Sequence, residues 1–302
     1  MNCLECQQDF DSLSSLHRHL KAHALHQPEY YVKHYARRSL LTGELLPYRS
    51  YEDYFSRDFA STAEMVKWAR SVSKLEAQTY LLERLGERKR EKNLEFAPCD
   101  IDLKLSKLPP STVFAEIFGS YRKAFEKVGL KERWTTEAST VQVPADVRVL
   151  IDTREQQSLS FPYTMEKQKL DFGDYTFAGE HHNSTFVDRK SASDFRSTLT
   201  AGYDRFLREI ERARSFGSFL FIVIEATMKQ VQENTYNTSK NASSIALAWK
   251  NTKEICNAHA DVCQFLFTGS RENSERVIPV LLANGPRLWF TDVQHLFDAR
   301  KL

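Results

Sequence analysis

The chain has 302 residues, more than one average domain, which leaves room for two or three. With 41% hydrophobic and 27% charged residues it can bury a sizeable core, so bulk disorder is excluded. A net charge of +2 excludes a general polycation, and any grip on nucleic acid has to come from local patches. The first residues lack the basic and apolar regions of a secretory leader, and the strongest apolar run, Phe219–Ile224, is too short to span a bilayer. Cys3 and Cys6 sit together while Cys99, Cys256 and Cys263 are scattered, which is not a disulfide framework. The expected compartment is reducing and intracellular, with no membrane partner.

The chain opens on Cys3-x2-Cys6-x12-His19-x3-His23, the ligand spacing of a two-Cys, two-His zinc finger. Two thiolates on a tight turn and two imidazoles one helical turn apart can meet at one tetrahedral Zn²⁺. Phe10 and Leu16 fall where such a ββα unit needs its small core. A unit of this size cannot stabilise itself by burial alone, so the metal supplies its folding free energy. Arg18 is its one strong base-reading side chain, and backbone docking or a protein contact remains an equal use for so short a reader.

Residues 24–98 are rich in Tyr, Arg and Lys and read as mostly helical, with Ala60–Asn93 interrupted at Gly86. The mixed-sign run from Glu87 to Lys92 reads as a solvated helix face. Tyr30, Tyr31, Tyr35, Tyr48, Tyr51 and Tyr54 offer stacking surfaces, but aromatic core packing explains them better. Residues 100–134 hold a two-helix pattern around Phe118-Gly119-Ser120. The first helix is expected after Pro110 with Ser111 as its cap, over a core of Phe114, Ile117, Phe118, Tyr121, Phe125 and Leu130. Thr135–Ala145 reads as a linker.

After the linker, strands and helices alternate. Val147–Ile151, Asp171–Phe177, Thr185–Asp188, Phe219–Ile224 and Gln264–Phe267 read as strands; Ala192–Phe216, Ser244–His259 and Asn273–Leu282 read as helices. The pattern predicts an α/β domain with a mixed sheet flanked by helices. His181-His182, flanked by Gly179, Asn183 and Ser184, reads as a hairpin tip rather than a metal site.

Acidic and basic residues gather at the strand ends: Asp152-Thr-Arg154-Glu155, Gly173-Asp174, Asp188-Arg189-Lys190 and then Asp194. Asp188 and Lys190 lie two apart on one strand and share a face, and Asp174 on a neighbouring strand can reach the same point. Two carboxylates and an amine at one point suit phosphodiester hydrolysis: the acids hold Mg²⁺ or Mn²⁺ through oxygen, and the amine orients water or offsets developing charge.

The order Gly173-Asp174, a thirteen-residue spacer, Asp188-Arg189-Lys190, Ser-Ala-Ser, Asp194 resembles the nuclease domain of the XPF family, whose pattern is G-D, spacer, E-R-K, three residues, D. Asp152-x-Arg154-Glu155 upstream, Arg205-Phe206 in the following helix and the acid ending Phe219–Glu225 fit the same family, over roughly residues 146–300. The resemblance implies a restriction-endonuclease-like fold and metal-dependent DNA cleavage. It makes Asp174 and Asp188 metal ligands, and Lys190 the water-positioning base. It places Asp152, Glu155 and Asp194 around the metal shell or phosphate path, Arg154 and Arg189 on phosphate or bracing the acids, and Arg205 near the DNA. Family members tend to dimerise, so a homodimer is implied. Two departures stand out: Asp188 replaces the usual Glu, and no paired helix-hairpin-helix follows residue 268, so the layout is closer to compact bacterial or phage members.

The pieces Pro110-Ser111, Phe118-Gly-Ser-Tyr121, Ala124-Phe125 and Val128-Gly-Leu130 resemble a helical repeat found beside homing endonucleases, which would leave Arg122, Lys123 and Lys127 free for phosphates. A plain helical hairpin packed on the next domain explains them equally well. The expected organisation is therefore a zinc finger at 1–26, a mainly helical DNA-docking region at 27–138 and an XPF-type nuclease domain at 144–302. The rival readings are a non-catalytic DNA-binding scaffold that keeps the fold, and a zinc-finger regulator of transcription.

Overall fold

The computed structural model of the protein describes residues 1–233 and 239–302, and the side chains of all of these except 239–243. The chain forms two compact units, Met1–Glu83 and Arg84–Leu302.

In the first unit, Cys3 N–H donates to Gln8 O at 2.9 Å and Phe10 N–H to Met1 O at 2.7 Å, so the first ten residues fold back on themselves around the Asn2–Asp9 bridge. Helix α1 (Leu13–His19) follows, capped by Ser12, and runs into a 3₁₀ turn over Leu20–His23. The expected finger is recognisable, with single-bridge pairing in place of two full strands. Helices α2 (Gln27–His34), α3 (Tyr51–Ser56) and α4 (Thr62–Ser71) complete this part. Tyr30, Tyr31 and Tyr54 are fully buried with Leu16 and Leu20. Their hydroxyls stay satisfied: Leu4 N–H donates to Tyr30, His17 pairs with Tyr31, and Arg37 N–H donates to Tyr54, each at 2.9 Å. Satisfied polar tips are what let tyrosine serve as core. These rings are packing, as the sequence suggested.

Helix α5 (Lys74–Lys92) is continuous through Gly86. The break falls earlier, at Val72-Ser73, where Ser73 Oγ accepts Glu76 N–H at 3.2 Å as a cap. A Cβ on Gly86 would meet Arg90 at 3.4 Å and Val128 at 3.9 Å, so the glycine serves close packing. The Glu87–Lys92 run is not simply a solvated face either. Arg88 is buried and donates to Asp102 at 2.6 Å, and Lys89 Nζ donates to the carbonyls of Val128 and Gly129. The segment 99–130 covers this side of α5.

That segment holds α6 (Asp100–Leu105), α7 (Ser111–Phe118) and α8 (Tyr121–Lys127). Gly119, with φ of 86°, turns the chain between α7 and α8, and Ser120 caps α8. The expected core residues, Phe114 to Leu130, are buried. Ser111 is not the cap: it lies inside the first turn, and its N–H donates to Asp100 Oδ1 at 2.7 Å. The acid on α6 satisfies the donor that a cap would have taken. The segment after Trp134 is no free linker. Thr135 N–H donates to Phe290 O at 2.9 Å, and Asn284 brackets Val141 through both its side-chain groups.

A six-stranded mixed sheet in the order β2-β1-β3-β4-β5-β6 forms the rest. Its strands are β1 (Arg148–Asp152), β2 (Thr164–Gln168), β3 (Tyr175–Phe177), β4 (Thr185–Lys190), β5 (Phe219–Ile224) and β6 (Cys263–Phe267). β3 runs antiparallel to β1 and β4; the other neighbours are parallel. β5 is apolar throughout because both its faces are covered. On one face lie α9 (Ala192–Thr198), α10 (Tyr203–Ser215), α11 (Met228–Glu233) and α12 (Ser239–Ala258), with Phe195, Phe206, Ile210 and Ile255 in the core. On the other lie α13 (Arg271–Asn284) and α14 (Val293–Asp298), contributing Val277, Ile278, Leu281 and Leu296. Each such side chain contributes about 1.5–3 kcal/mol by burial. The expected helix Ala192–Phe216 is two helices, parted at Thr200-Ala201-Gly202, where Thr198 leaves no room for a Cβ on Gly202 without crowding at 3.2 Å.

Because β1, β4 and β5 point the same way and β3 points back, the C-terminal ends of three strands meet the start of β3 at one rim. This is where parallel sheets place functional groups. No helix among the described residues is long and apolar enough to cross a membrane.

Candidate active site

The rim is assembled strand by strand. Asp174 precedes β3 and is fixed through its backbone: its N–H donates to Val187 O at 2.7 Å and its carbonyl accepts Asp152 N–H at 2.8 Å. Gly173 makes this turn possible. Its φ is +66°, and a Cβ there would lie 3.1 Å from Val187 O and 3.3 Å from Phe186 Cβ and Leu220 Cδ1. The Asp174 carboxylate then accepts Arg189 N–H at 2.8 Å through Oδ2. Asp188 and Lys190 share one face of β4, and Lys190 Nζ lies 2.9 Å from Oδ1 and 2.7 Å from Oδ2 of Asp188. The ammonium also sits 5.4 Å above the Phe206 ring.

The electrostatics follow. Burial, reinforced by the charge of Asp188, pushes the Asp174 carboxyl well above the usual carboxylate range. Burial alone would lower Lys190, but the adjoining Asp188 holds it above its ordinary value, so the amine is charged. Asp188 is only 5% exposed, and its Oδ2, though beside Nζ, lacks a hydrogen bond of proper geometry. A buried carboxylate oxygen with spare acceptor capacity, next to a second carboxylate that its neighbours push toward protonation, is a donor set short of a cation. All the donors are hard oxygens, which suit Mg²⁺ or Mn²⁺.

Around this trio the other expected residues take bracing positions. Arg189 spends its guanidinium on two acids: Nε and NH2 donate to Glu155 at 3.0–3.2 Å, and NH1 to Glu225 at 2.9 Å. Asp152 is buried and held low despite its burial, by Arg154 at 2.7 Å and by Leu170 N–H at 2.7 Å. Arg154 is 63% exposed and reaches back over Asp152. Asp194 is exposed, and its contacts are those of a helix cap, with Ser191 Oγ at 2.6 Å from its carboxylate. Arg205 is exposed on α10, and Arg122, Lys123 and Lys127 are exposed on α8, with Arg122 ion-paired to Glu132.

Two acids at the rim were not singled out from sequence. Glu225, directly after β5, shares Arg189 with Glu155. The signal was there: it is the first polar residue after an all-apolar strand. Glu209 on α10 accepts Gly173 N–H at 3.0 Å. It flanks the apolar face formed by Phe206 and Ile210, so in sequence it looks like a solvated helix position.

In the first unit, the ligand atoms of Cys3, Cys6, His19 and His23 all lie within 4.8 Å of one another. His19 Nε2 is 3.2 Å from Cys6 Sγ and 3.0 Å from His23 Nε2. Zn–S bonds of about 2.3 Å and Zn–N bonds of about 2.0 Å in a tetrahedron call for edges of roughly 3.3–3.8 Å, so small adjustments close the cage. Phe10 stacks at 4.6 Å from His19, as the expected core residue should. Arg18 is exposed on the same helix.

No curated protein matches the chain. Among solved structures it is similar to XPF from Aeropyrum pernix, at 21% identity and a TM-score of 0.32, over 45% of this chain and 64% of that one. It is likewise similar to XPF from Aeropyrum pernix in complex with DNA, at 21% identity and a TM-score of 0.31, over 47% and 67%. The chain thus spans a little under two thirds of the first of these structures. Residues 151–281, which hold the whole rim just described, match the family model described as the ERCC4 domain, and over that stretch the chain carries an XPF-type nuclease domain.

Proposed function

We propose that this protein is a divalent-metal-dependent DNA endonuclease that hydrolyses phosphodiester bonds in branched or flapped DNA, or at duplex sites selected by its N-terminal half. One observation carries the reading: Asp174, Asp188 and the charged Lys190 converge at one rim, with a buried carboxylate oxygen to spare. Asp174 and Asp188 are the residues to hold Mg²⁺ or Mn²⁺. When bound, such a cation polarises the phosphoryl oxygen and lowers the pKa of a water on it. Lys190 then keeps a positive charge beside the reacting phosphate and orients the attacking water. Arg189 holds Glu155 and Glu225 in place, and Asp152 with Arg154 fixes the turn behind Asp174. Asp194 supports this arrangement from the cap of α9.

Outside the rim, Arg154, Arg205, Arg122, Lys123 and Lys127 are exposed cations suited to phosphate contacts. Zn²⁺ on Cys3, Cys6, His19 and His23 orders the finger that carries Arg18. A homodimer through the nuclease domain fits the family. The test is cleavage of supercoiled plasmid and a panel of flap, fork, four-way junction and linear duplex in Mg²⁺ and Mn²⁺. Wild type should cut at least one substrate, and Asp174→Ala and Lys190→Met should not. A wild type that cuts none, or a Lys190→Met variant that cuts at the wild-type rate, defeats the reading and favours a DNA-binding scaffold.

A further inference from the structure

Glu209 stands at the rim with no part in the scheme above. Its Oε1 accepts Gly173 N–H at 3.0 Å, so the Gly173–Asp174 turn is gripped by β4 on one side and by α10 on the other. Among the described residues its Oε2 makes no hydrogen bond. Asp188 and Lys190 both act on its carboxylate, and it acts in turn on Lys190 and Arg154, which puts it in the same electrostatic group as the trio. Asp188, with 7% side-chain exposure and an unpartnered Oδ2, faces this group from β4.

Charge balance sharpens the point. Arg154 is committed to Asp152, and Arg189 to Glu155 and Glu225. That leaves Asp174, Asp188 and Glu209 against Lys190 alone. Three carboxylates and one ammonium carry an excess of two negative charges in a poorly solvated corner, a costly state without a counter-ion. A single divalent cation cancels it.

We propose that Glu209 is a third carboxylate of the divalent-cation site, anchored by the Gly173 amide through one oxygen and offering the other to the ion, directly or across a water. This rests on the nuclease reading above and adds to it a ligand supplied by α10 rather than by the sheet. It also makes the helix part of the site, so the ion ties α10 to the Gly173–Asp174 turn.

The experiment is Mn²⁺ binding, followed by electron paramagnetic resonance and calorimetry, on the full zinc-loaded chain without DNA. Wild type, Glu209→Gln and Asp188→Asn are compared. Glutamine still accepts the Gly173 N–H, so a residue that merely props the turn would leave Mn²⁺ affinity where it was. As a ligand, Glu209→Gln weakens Mn²⁺ binding tenfold or more, while the metal-free protein melts at the wild-type temperature or above it, because like-charge repulsion is relieved. Mn²⁺ affinity within twofold of wild type in Glu209→Gln, with Asp188→Asn abolishing binding, overturns the assignment and spares the nuclease reading. Absence of Mn²⁺ binding in wild type overturns both. If Glu209→Gln does not fold, Glu209→Asp carries the test: it keeps the charge but withdraws the oxygens by one methylene, and wild-type affinity in that variant overturns the proposal.

Discussion

Replacing Arg189 by Met isolates the bracing of the rim from its chemistry. The guanidinium is 10% exposed and is shared by Glu155 and Glu225, whose side chains are 6% and 13% exposed. Methionine fills much of the volume but leaves two buried carboxylates without a cation. Removing one partner of a buried pair costs about 3–5 kcal/mol, and that is the expected loss at pH 8. The loss must depend on pH. Without Arg189 the folded-state pKa values of Glu155 and Glu225 rise above the unfolded value of about 4.3. The variant's stability is then fully present at low pH and falls as pH climbs through the raised values, by up to about 1.4 kcal/mol per unit for each proton. At pH 5 the deficit should shrink to roughly 1 kcal/mol, the packing difference alone. Urea unfolding at pH 5 and pH 8 reads this directly. Trp134, Trp249 and Trp289 report on residues 84–302, and Trp68 reports on the other unit. Adding Glu155→Gln and Glu225→Gln should restore stability at pH 8. A deficit equal at both pH values, or no rescue by the glutamines, refutes the bracing argument.

Other outcomes follow from the same geometry. Gly173→Ala should lose about 1–3 kcal/mol from its left-handed backbone, and more from crowding against Val187 O, with Mn²⁺ affinity falling in the same variant; an unchanged melting temperature and affinity would contradict it. Asp292, buried beside Asp100, is pushed up to about 7, first by burial and then by that neighbour, and Asp100 also raises His295. Both shifts favour the protonated forms, so this cluster stabilises the fold at low pH and loses that contribution as pH rises through about 7; Asp292→Asn should flatten the decline in unfolding free energy between pH 6 and 8, and an unaltered slope counts against it. The zinc-loaded chain should release one Zn²⁺ to a chromogenic chelator and lose the cooperative Trp68 transition, with Cys6→Ala and His19→Ala carrying no zinc. A chain that never binds zinc, or melts identically after chelation, removes the finger.

What could be read in the sequence divides along physical lines. β4 and β5 were legible because apolar runs of five or six residues with no Gly or Pro have few alternatives, and the rim trio because Asp188 and Lys190 keep strand spacing beside a Gly-Asp turn. β2 was invisible: Thr164-Met-Glu-Lys-Gln168 is an exposed edge with no alternation, held only by pairing to β1. Helix α14 was missed for the opposite reason, since Val293 to Leu296 are buried and show no polar face to mark a period. The interruption at Gly202 was hidden by the helical periodicity on either side. Ser111 had the right chemistry for a cap and was taken into a buried cluster with Asp100 and His295, a choice made by residues far away in sequence.

The same distinction explains why strand-borne acids announced themselves and helix-borne Glu209 did not. A strand end fixes a side chain's direction through its two-residue period, so residue type and spacing nearly define the point it reaches. A helix offers its flank residues to solvent or to a neighbouring element alike, and only the packing of Phe206 and Ile210 under the sheet turns Glu209 toward Gly173. The aspartate at 188 belongs to this account. Being a methylene shorter than the glutamate of the XPF pattern, it keeps its carboxylate close to β4 and to Lys190, 2.7–2.9 Å away. A cation drawn toward the strand in this way has an open side facing α10, and that is the side on which Glu209 supplies an oxygen.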